Sequence, residues 1–369
     1  MSPTGRSVET RKLKISRRLG SATALNASEV VAARAMQINL HSYMGICQVL
    51  GRNFVNPGRK PLQYGRCKLQ LIVNKHKGKA TMASVLITGT STGIGLATAL
   101  ALGRAGHKVY ATMRNPSRAP ELGEEVAKEK LPVKISVMDV DSDNSVKSAI
   151  ADILKDAGQI DVLVNNAGVE RTGSIEELPL AEFRAVMETN YFGVIRCTQA
   201  LVPQMRQRKS GCIINVSSVA GRIACSPMAP YTASKFALEA LSEALAQEMK
   251  TFNVRVAIVE PGIIDTPMAR RIEDPGKGSL YLQQRRFAHL FEASLSNPAP
   301  PALVAEKIFS IIESGTWQLR HRVGGEAFLT WRNSMTDEQW VDLNAADDET
   351  WYSIMERDFG MAIRPKTLI

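Results

Sequence analysis

Short runs of aliphatic and β-branched residues alternate with helix-length amphipathic segments from about residue 82 onward. Runs such as VLIT and VLVN are apolar at successive positions, which is typical of strands buried on both faces of a sheet. Because strands that alternate with helices form βαβ crossovers, the pattern predicts a parallel, doubly wound α/β sheet in a single domain. The predicted strands are residues 84–88, 108–112, 134–138, 161–165, 212–216 and 254–259.

The predicted domain covers residues 82–325 and is followed by a tail at 326–369. Within the domain, residues 262–300 have few strand signals and carry apolar residues at helical spacing, which indicates a substrate lid or an irregular insertion. All four tryptophans lie at position 317 or later, and Thr336 with Gln339 has the pattern of a capping box. We expect a helical tail that packs on the domain, with closure over a ligand as the alternative.

Residues 1–81 form a basic N-terminal extension, with 15 of the 46 Lys and Arg residues and only two acidic ones, Glu9 and Glu29. The rest of the chain is slightly acidic, so the net charge of +10 does not indicate that the domain binds nucleic acid. The extension fits an over-long gene model ahead of Met82, an organelle-targeting segment or a disordered basic arm. We expect a cytoplasmic protein unless residues 1–81 direct it to an organelle.

Membrane and metal signals are missing from the sequence. No run of about 18 consecutive apolar residues occurs, so no transmembrane segment is predicted. The five cysteines contain no C-x-x-C pair and the five histidines are scattered. The sequence therefore predicts neither a disulfide framework nor a metal site.

The stretch SVLITGTSTGIGLATALAL, residues 84–102, has the pattern of a strand, a glycine-rich turn and a helix. Glycines at such a turn permit positive φ and let a pyrophosphate approach the backbone N–H groups of the helix N-terminus. Because the turn follows the first strand of a βαβ series, it predicts a dinucleotide site. The site would be formed by Gly89, Ser91, Thr92, Gly93, Ile94 and Gly95.

The second predicted strand indicates which dinucleotide is bound. Residues 107–120 contain no acidic residue but include Lys108, Arg114 and Arg118. An acid in this region holds the ribose 2′-hydroxyl of NAD, whereas an arginine accommodates the 2′-phosphate of NADP. We therefore predict that NADP(H) is preferred over NAD(H), with Arg114 at the phosphate. The alternative is that these are solvated loop charges.

The stretch YTASK begins a predicted amphipathic helix and places Tyr231 and Lys235 four residues apart. Residues at this spacing lie on one face of a helix, and a neighbouring cation favours the phenolate. The pair is therefore predicted to act in acid–base chemistry, with Lys235 lowering the pKa of Tyr231. A buried aromatic residue beside a solvated lysine is the alternative.

Several motifs occur in an order that resembles the short-chain dehydrogenase/reductase (SDR) family. They are TGTSTGIG at 88–95, NNAG at 165–168, NYFG at 190–193, NVSSVAG at 215–221, YTASK at 231–235 and PGIIDT at 261–266. The resemblance covers residues 82 to about 315 and implies a Rossmann-type fold that assembles as a homodimer or homotetramer. Within the family, the chain is similar to the 17β-hydroxysteroid and retinol dehydrogenase-like carbonyl oxidoreductases.

The resemblance also implies roles for individual residues. Tyr231 would be the general acid–base, and Lys235 would tune it and bind the nicotinamide ribose. Ser218 would hydrogen-bond the substrate oxygen, and Asn190 would hold a water in a proton relay. Further cofactor contacts would come from Asn166, Ala167 and Gly168 in the cleft, Asp139 and Val140 at the adenine, and Pro261, Gly262 and Thr266 at the carboxamide.

The predicted function is an NADP(H)-dependent oxidoreductase that acts on the alcohol or ketone of an apolar, steroid- or retinoid-like substrate. One alternative is a 3-oxoacyl thioester reductase, whose polyanionic carrier would meet basic residues in the lid. These are Arg270, Arg271, Arg285 and Arg286. Another is a non-catalytic NADP-binding sensor, which has no need of the complete proton-transfer set.

Overall fold

Seven parallel strands form one sheet in the computed structural model, which describes residues 82–274 and 278–364. Predictions for residues 1–81 lie outside the described residues. The strands are β1 (Ser84–Thr88), β2 (Lys108–Met113), β3 (Val133–Val137), β4 (Val162–Asn165), β5 (Gly211–Val216), β6 (Val254–Pro261) and β7 (Arg320–Val323). Their order is β3-β2-β1-β4-β5-β6-β7, so the direction of winding reverses between β1 and β4. The doubly wound α/β fold is confirmed.

The helices include those that cover both faces of this sheet and those of the lid and tail. They are α1 (Gly93–Arg104), α2 (Pro120–Glu129), α3 (Asp143–Ala157), α4 (Leu180–Met187), α5 (Gly193–Arg208), α6 (Ala229–Lys250), α7 (Leu282–Leu295), α8 (Ala302–Ser314), α9 (Glu326–Asn333), α10 (Asp337–Ala345) and α11 (Asp348–Phe359). Within the described ranges, none of them is long and apolar enough to cross a membrane.

Successive residues of each central strand enter opposite cores. Val85 and Ile87 pack with α1, α2 and α8, whereas Leu86 between them packs with α3, α5 and α6 on the other face. Side chains alternate between the two faces of a strand, so a strand with helices on both sides must be apolar at every position. This is why the strands could be predicted as uninterrupted apolar runs.

The predicted strands agree with the structure to within two residues, but the sequence analysis missed β7. Its sequence, RHRV, lacks an apolar run. The Nε atoms of Arg320 and Arg322 lie 3.5 and 3.2 Å from the carboxylate of Glu260, a buried residue of the neighbouring β6. The charges of this edge strand are compensated across the sheet, so the local sequence does not reveal the strand.

The tail contains α9, α10 and α11, and Thr336 and Gln339 form the predicted capping box. Its aromatic side chains form a cluster with one another and pack on Leu290 and Ala293 of α7, the lid helix. We call this the tail cluster; it comprises Phe328, Trp331, Trp340, Trp351 and Phe359. Trp317 lies apart from it, with the Lys250 ammonium 3.3 Å from its ring centroid.

A buried ion pair joins the lid helix to the tail. Arg286 of α7 is only 2% exposed, and its guanidinium donates to the Asp348 carboxylate at 2.7 Å and to the Ala346 carbonyl at 2.7 Å. Arg285 pairs with the same carboxylate. Burial alone would raise the pKa of Asp348, yet the two guanidinium groups hold it below its usual value.

We predict that Asp348→Asn lowers the free energy of unfolding by about 3–5 kcal/mol, because it leaves the buried Arg286 cation without its counter-charge. Since the folded-state pKa is lowered, the contribution of Asp348 is present at neutral pH and is lost as the pH falls below about 4. Chemical denaturation measures both effects. Asp342→Asn on the exposed side of α10 is the control, and equal losses in the two variants would contradict the role given to the ion pair.

Candidate active site

A cavity of about 1060 Å³ lies at the carboxyl ends of the parallel strands. Strand ends and the glycine turn form its inner wall, and the lid and tail form its outer wall. All predicted site residues except Asn190 line it. They are Gly89, Ser91, Thr92, Gly93, Ile94, Gly95, Arg114, Asp139, Val140, Asn166, Ala167, Gly168, Ser218, Tyr231, Lys235, Pro261, Gly262 and Thr266.

The glycine turn packs so closely that side chains would block it. Gly89 and Gly93 have φ of +70° and +57°, a region that favours glycine. A Cβ on Gly95 would lie 2.2 Å from the carbonyl oxygen of Gly89. The first turn of α1 therefore faces the cavity as a backbone cradle, which fits the pyrophosphate of a dinucleotide.

The NNAG segment after β4 is tied to this turn across the point where the winding reverses. The backbone N–H groups of Asn166 and Ala167 donate to Thr88 Oγ1 at 3.0 and 2.9 Å. The Asn166 side-chain amide donates to the carbonyl oxygens of Thr88 and Gly89, both at 2.9 Å. These bonds hold the ends of β1 and β4 at one fixed separation beneath the cavity.

The rim of the cavity at the ends of β2 and β3 carries the predicted adenosine-side residues. Arg114 and Arg118 are exposed there, in the connection between β2 and α2. Asp139 and Val140 follow β3 and line the adjoining wall. The rim thus combines guanidinium groups beside β2 with a carboxylate beside β3.

Tyr231 and Lys235 lie on the first turns of α6, facing the end of β5. Lys235 is 4% exposed, and its Nζ donates to the carbonyl oxygen of Val216 at 2.9 Å. The same Nζ is 5.5 Å from the centre of the Tyr231 ring. A single lysine therefore anchors the beginning of α6 to β5 and fixes where the phenol lies.

Asn190 lies behind the cavity in a π-helical turn, Glu188–Phe192, between α4 and α5. Its amide is fully buried and bonds both backbone groups of Val169, at 2.8 Å to the N–H and 2.9 Å to the carbonyl. It also donates to Ser234 Oγ at 2.9 Å. Asn190 thus joins the segment after β4 to α6, while its place in a proton relay stays a prediction.

Ser218 follows β5 and faces the same part of the cavity as Tyr231. Its hydroxyl accepts a hydrogen bond from the Ala220 N–H at 3.1 Å and donates to the Pro261 carbonyl at 3.4 Å. After Pro261 the chain stays close to its neighbours, because a Cβ on Gly262 would lie 2.9 Å from the Gly325 nitrogen. The ends of β5 and β6 are thereby held together at the cavity floor.

The pKa of Tyr231 differs from the sequence prediction. Burial raises the pKa of Tyr231 to about 12, an effect that the Ser218 hydroxyl opposes and the charge of Glu170 reinforces. Burial also lowers the pKa of Lys235 to about 8, against the charge of Glu239. The prediction that Lys235 lowers the pKa of Tyr231 is therefore wrong for these protein groups, because loss of water disfavours the phenolate more strongly. At neutral pH the phenol is protonated and able to donate.

The sequence analysis missed one cavity residue, Glu170, and expected the tail residues at a ligand only as the alternative. Glu170 lines the cavity two positions after the NNAG segment, a signal that was available in the sequence. The outer wall also includes Phe328, Trp331 and Trp340 of the tail cluster. Their approach depends on how the tail folds back, which their spacing does not reveal.

The lid arginines do not form the free basic surface considered above. Arg270 pairs with Asp265, and Arg285 and Arg286 both pair with Asp348. Arg271 lines the cavity and is exposed. Three of the four arginines are therefore paired within the chain, although Arg285 and Arg286 share the single charge of Asp348.

The chain belongs to the short-chain dehydrogenase family, whose model, described as short chain dehydrogenase, matches residues 83–276. A 3-ketodihydrosphingosine reductase of Bacteroides thetaiotaomicron is 36% identical over 244 residues, which are 65% of this chain and 87% of the relative. Retinol dehydrogenase 8 of Bos taurus is 38% identical over 259 residues, covering 65% of this chain and 80% of the relative.

Solved structures with the same fold support this family assignment. A short-chain dehydrogenase from Streptomyces avermitilis has a TM-score of 0.61 at 32% identity and covers 76% of this chain and 99% of its own. A gluconate 5-dehydrogenase from Burkholderia cenocepacia, in complex with NADP and tartrate, has a TM-score of 0.59 at 26% identity, with coverages of 68% and 95%. The protein is thus an oxidoreductase of the type that acts on CH–OH groups with a nicotinamide cofactor, and it resembles the retinol dehydrogenase-like members.

We predict that Gly95→Ala abolishes dinucleotide binding, because the added methyl group would overlap the Gly89 carbonyl and force the cradle open. Titration calorimetry with NADP⁺ measures the loss. Gly123→Ala in α2 is the matched control, since its nearest neighbour would be the Ile135 Cδ1 at 3.8 Å. Normal NADP⁺ affinity in Gly95→Ala would show that the turn is not the binding site.

Proposed function

We propose that this protein is an NADP(H)-dependent oxidoreductase that acts on the alcohol or ketone of an apolar, steroid- or retinoid-like substrate, with Tyr231 as the general acid–base. The observation that carries the proposal is the placement of Tyr231 and Ser218 together at the floor of a deep cavity with an apolar outer wall. Reduction of a ketone leaves a negatively charged oxygen, which needs one acid and a further hydrogen-bond donor. These two hydroxyl groups are placed to supply them.

On the cofactor side, the backbone cradle at residues 89–95 would hold the pyrophosphate, and Asp139 and Val140 would line the adenine pocket. Arg114 would meet the 2′-phosphate, because a guanidinium matches a phosphate in both charge and geometry. The related gluconate 5-dehydrogenase with bound NADP supports this preference. When bound, the nicotinamide supplies or accepts the hydride.

On the substrate side, Tyr231 donates its proton to the carbonyl oxygen during reduction, while Ser218 donates a hydrogen bond to the same atom. Lys235, with its pKa lowered to about 8 by burial, is poised to exchange protons near neutral pH. Asn190 joins the segment after β4 to α6, the helix that carries Lys235. We propose that the proton relay to solvent passes beside Asn190. Oxidation of an alcohol uses the same groups in reverse.

The outer wall supports an apolar substrate. It is built mainly from aromatic and aliphatic side chains of the lid and tail, which remove apolar surface of a ligand from water. These are Phe287, Leu290, Phe291, Phe328, Trp331, Trp340, Leu343, Trp351, Met355 and Phe359. The lid offers little positive charge to a thioester on a polyanionic carrier, because three of its four arginines are already paired with carboxylates.

We predict that the full-length protein oxidises NADPH in the presence of a ketone from a steroid, retinoid and short β-keto panel, with kcat/KM at least about tenfold higher than with NADH. Tyr231→Phe should lower kcat by about 100-fold or more, because the proton donor is lost. The absorbance of the reduced nicotinamide measures both.

Tyr110→Phe, which alters a tyrosine that bonds Asp156 away from the cavity, is the control. Full activity in Tyr231→Phe would contradict the proposed mechanism. Tight NADP⁺ binding without turnover of any ketone or alcohol on a broad panel would favour the sensor alternative.

A further inference from the structure

The π-helical turn Glu188–Phe192 lies between the wall of the cavity after β3 and the helix that carries Tyr231. The Gly193 N–H closes this turn by donating to the Glu188 carbonyl, five residues back. Turns of this kind are frequent at functional sites. Thr189 lines the cavity, whereas Asn190, the next residue, is fully buried behind it. Two consecutive residues of one turn therefore face two different parts of the site.

Three contacts attach this turn and the start of α5 to the wall after β3. The hydroxyl of Thr189, a buried residue, donates to the Asp141 carboxylate at 3.0 Å. Gly193 packs against Val140, because a Cβ on Gly193 would lie 2.9 Å from Val140 Cγ2. Arg196 Nη1 donates to the Val140 carbonyl at 3.1 Å. Val140 and Asp141 both line the cavity, so the wall that would meet the adenine is tied directly to the turn.

Arg196 also holds the first residue of the turn. Its guanidinium donates to the carboxylate of Glu188 and to that of Asp143, the first residue of α3. The Arg196 side chain is 22% exposed, so these charge-assisted bonds are partly shielded from water. A single guanidinium therefore fixes the turn, the start of α3 and the Val140 carbonyl relative to one another.

On its other side, the turn is bonded to the start of α6 through Asn190. The Asn190 amide donates to Ser234 Oγ at 2.9 Å, and the Ser234 hydroxyl donates to the Tyr231 carbonyl at 2.7 Å. Ser234 directly precedes Lys235 in the chain. A displacement of the π-helical turn would therefore reach the backbone of the residue that carries the proton donor.

We propose that Thr189 and Arg196 are positioning residues, through which the adenosine part of the dinucleotide sets the position of Asn190 and Tyr231. Adenosine bound against the wall after β3 would restrict its movement, and the bonds of Thr189 and Arg196 would pass this restriction to the turn. The adenosine, which takes no part in hydride transfer, should therefore raise kcat as well as the affinity for the cofactor. This inference rests on the proposed function and adds two residues that support its acid–base groups.

The test divides the cofactor into two pieces. Reduced nicotinamide mononucleotide carries the hydride but lacks the adenosine, and adenosine 2′,5′-bisphosphate supplies the missing part. In the wild-type protein, with both pieces at saturating concentrations, we expect the bisphosphate to raise kcat for ketone reduction by about tenfold or more. Thr189→Val and Arg196→Gln should each lose this activation, because the wall is no longer tied to the turn.

Arg184→Gln on α4 and Thr330→Val on α9 change exposed residues of the same types, and these controls should keep the wild-type activation. A variant that is merely less stable loses activity with and without the bisphosphate alike, so the ratio of the two kcat values separates positioning from folding. Absence of activation in the wild type would overturn the inference, as would full activation in either Thr189→Val or Arg196→Gln.

A second measurement does not depend on turnover. The side-chain amide signal of Asn190, assigned with Asn190→Asp, is followed by ¹⁵N NMR as adenosine 2′,5′-bisphosphate is added to saturation. Because Asn190 does not line the cavity, a change in its signal reports movement of the turn rather than contact with the ligand. We expect a shift in the wild type that is lost in Thr189→Val and Arg196→Gln.

The two measurements separate failure of this inference from failure of the proposed function. An Asn190 signal that stays unchanged in the saturated wild type would contradict the link between adenosine and the turn, even if the protein reduces ketones. A shift that depends on Thr189 and Arg196, without turnover of any ketone or alcohol, would support the link and contradict only the proposed function.

Discussion

The buried ammonium group of Lys235 is the interaction on which the site depends. It lies at the end of β5, where the Val216 carbonyl accepts its hydrogen bond, and it sits in the second turn of the helix that carries Tyr231. A cation in such surroundings is tolerated only where polar groups face it. The bond thereby fixes the beginning of α6 against the end of β5. The accepting residue, Val216, lies two positions before Ser218. Movement of this lysine would displace the Tyr231 phenol and the Ser218 hydroxyl relative to one another.

Asn190 and Asn166 extend this arrangement to the neighbouring strands. Asn190 joins α6 to the segment after β4, and Asn166 joins that segment to the glycine turn after β1. A set of hydrogen bonds from these two side chains therefore links the glycine turn to the helix that carries Tyr231. Such rigidity suits a reaction in which two partners must meet at a fixed distance. The outer wall of the cavity consists instead of the tail cluster and the Arg286–Asp348 pair. Substitutions in this wall can therefore change the substrate preference without moving Tyr231 or Ser218.

The sequence predicted the residues at the floor of the cavity far better than those of its outer wall. Buried parallel strands, the glycine turn and the first turn of α6 are set by local spacing, and each was placed correctly within a residue or two. The strand β7 was missed because the charges of Arg320 and Arg322 are balanced by Glu260 on another strand. The pKa of Tyr231 was predicted in the wrong direction, because spacing reports the neighbouring lysine but not the loss of water around the phenol. Glu170 was overlooked although it follows the NNAG segment by only two positions, because the sequence does not show that its side chain lines the cavity.

The most direct test of this account is a titration of Tyr231 by NMR, using ¹³Cζ-labelled tyrosine with Tyr231→Phe to assign the signal. In the protein alone, the phenol should stay protonated to the alkaline limit of the folded state, in accord with a pKa of about 12. Addition of NADP⁺ should lower that pKa, because the positive nicotinamide ring would lie beside the phenol and favour the phenolate. An ordinary pKa near 10 in the protein alone, or a value that NADP⁺ leaves unchanged, would contradict the proposed arrangement of acid and cofactor.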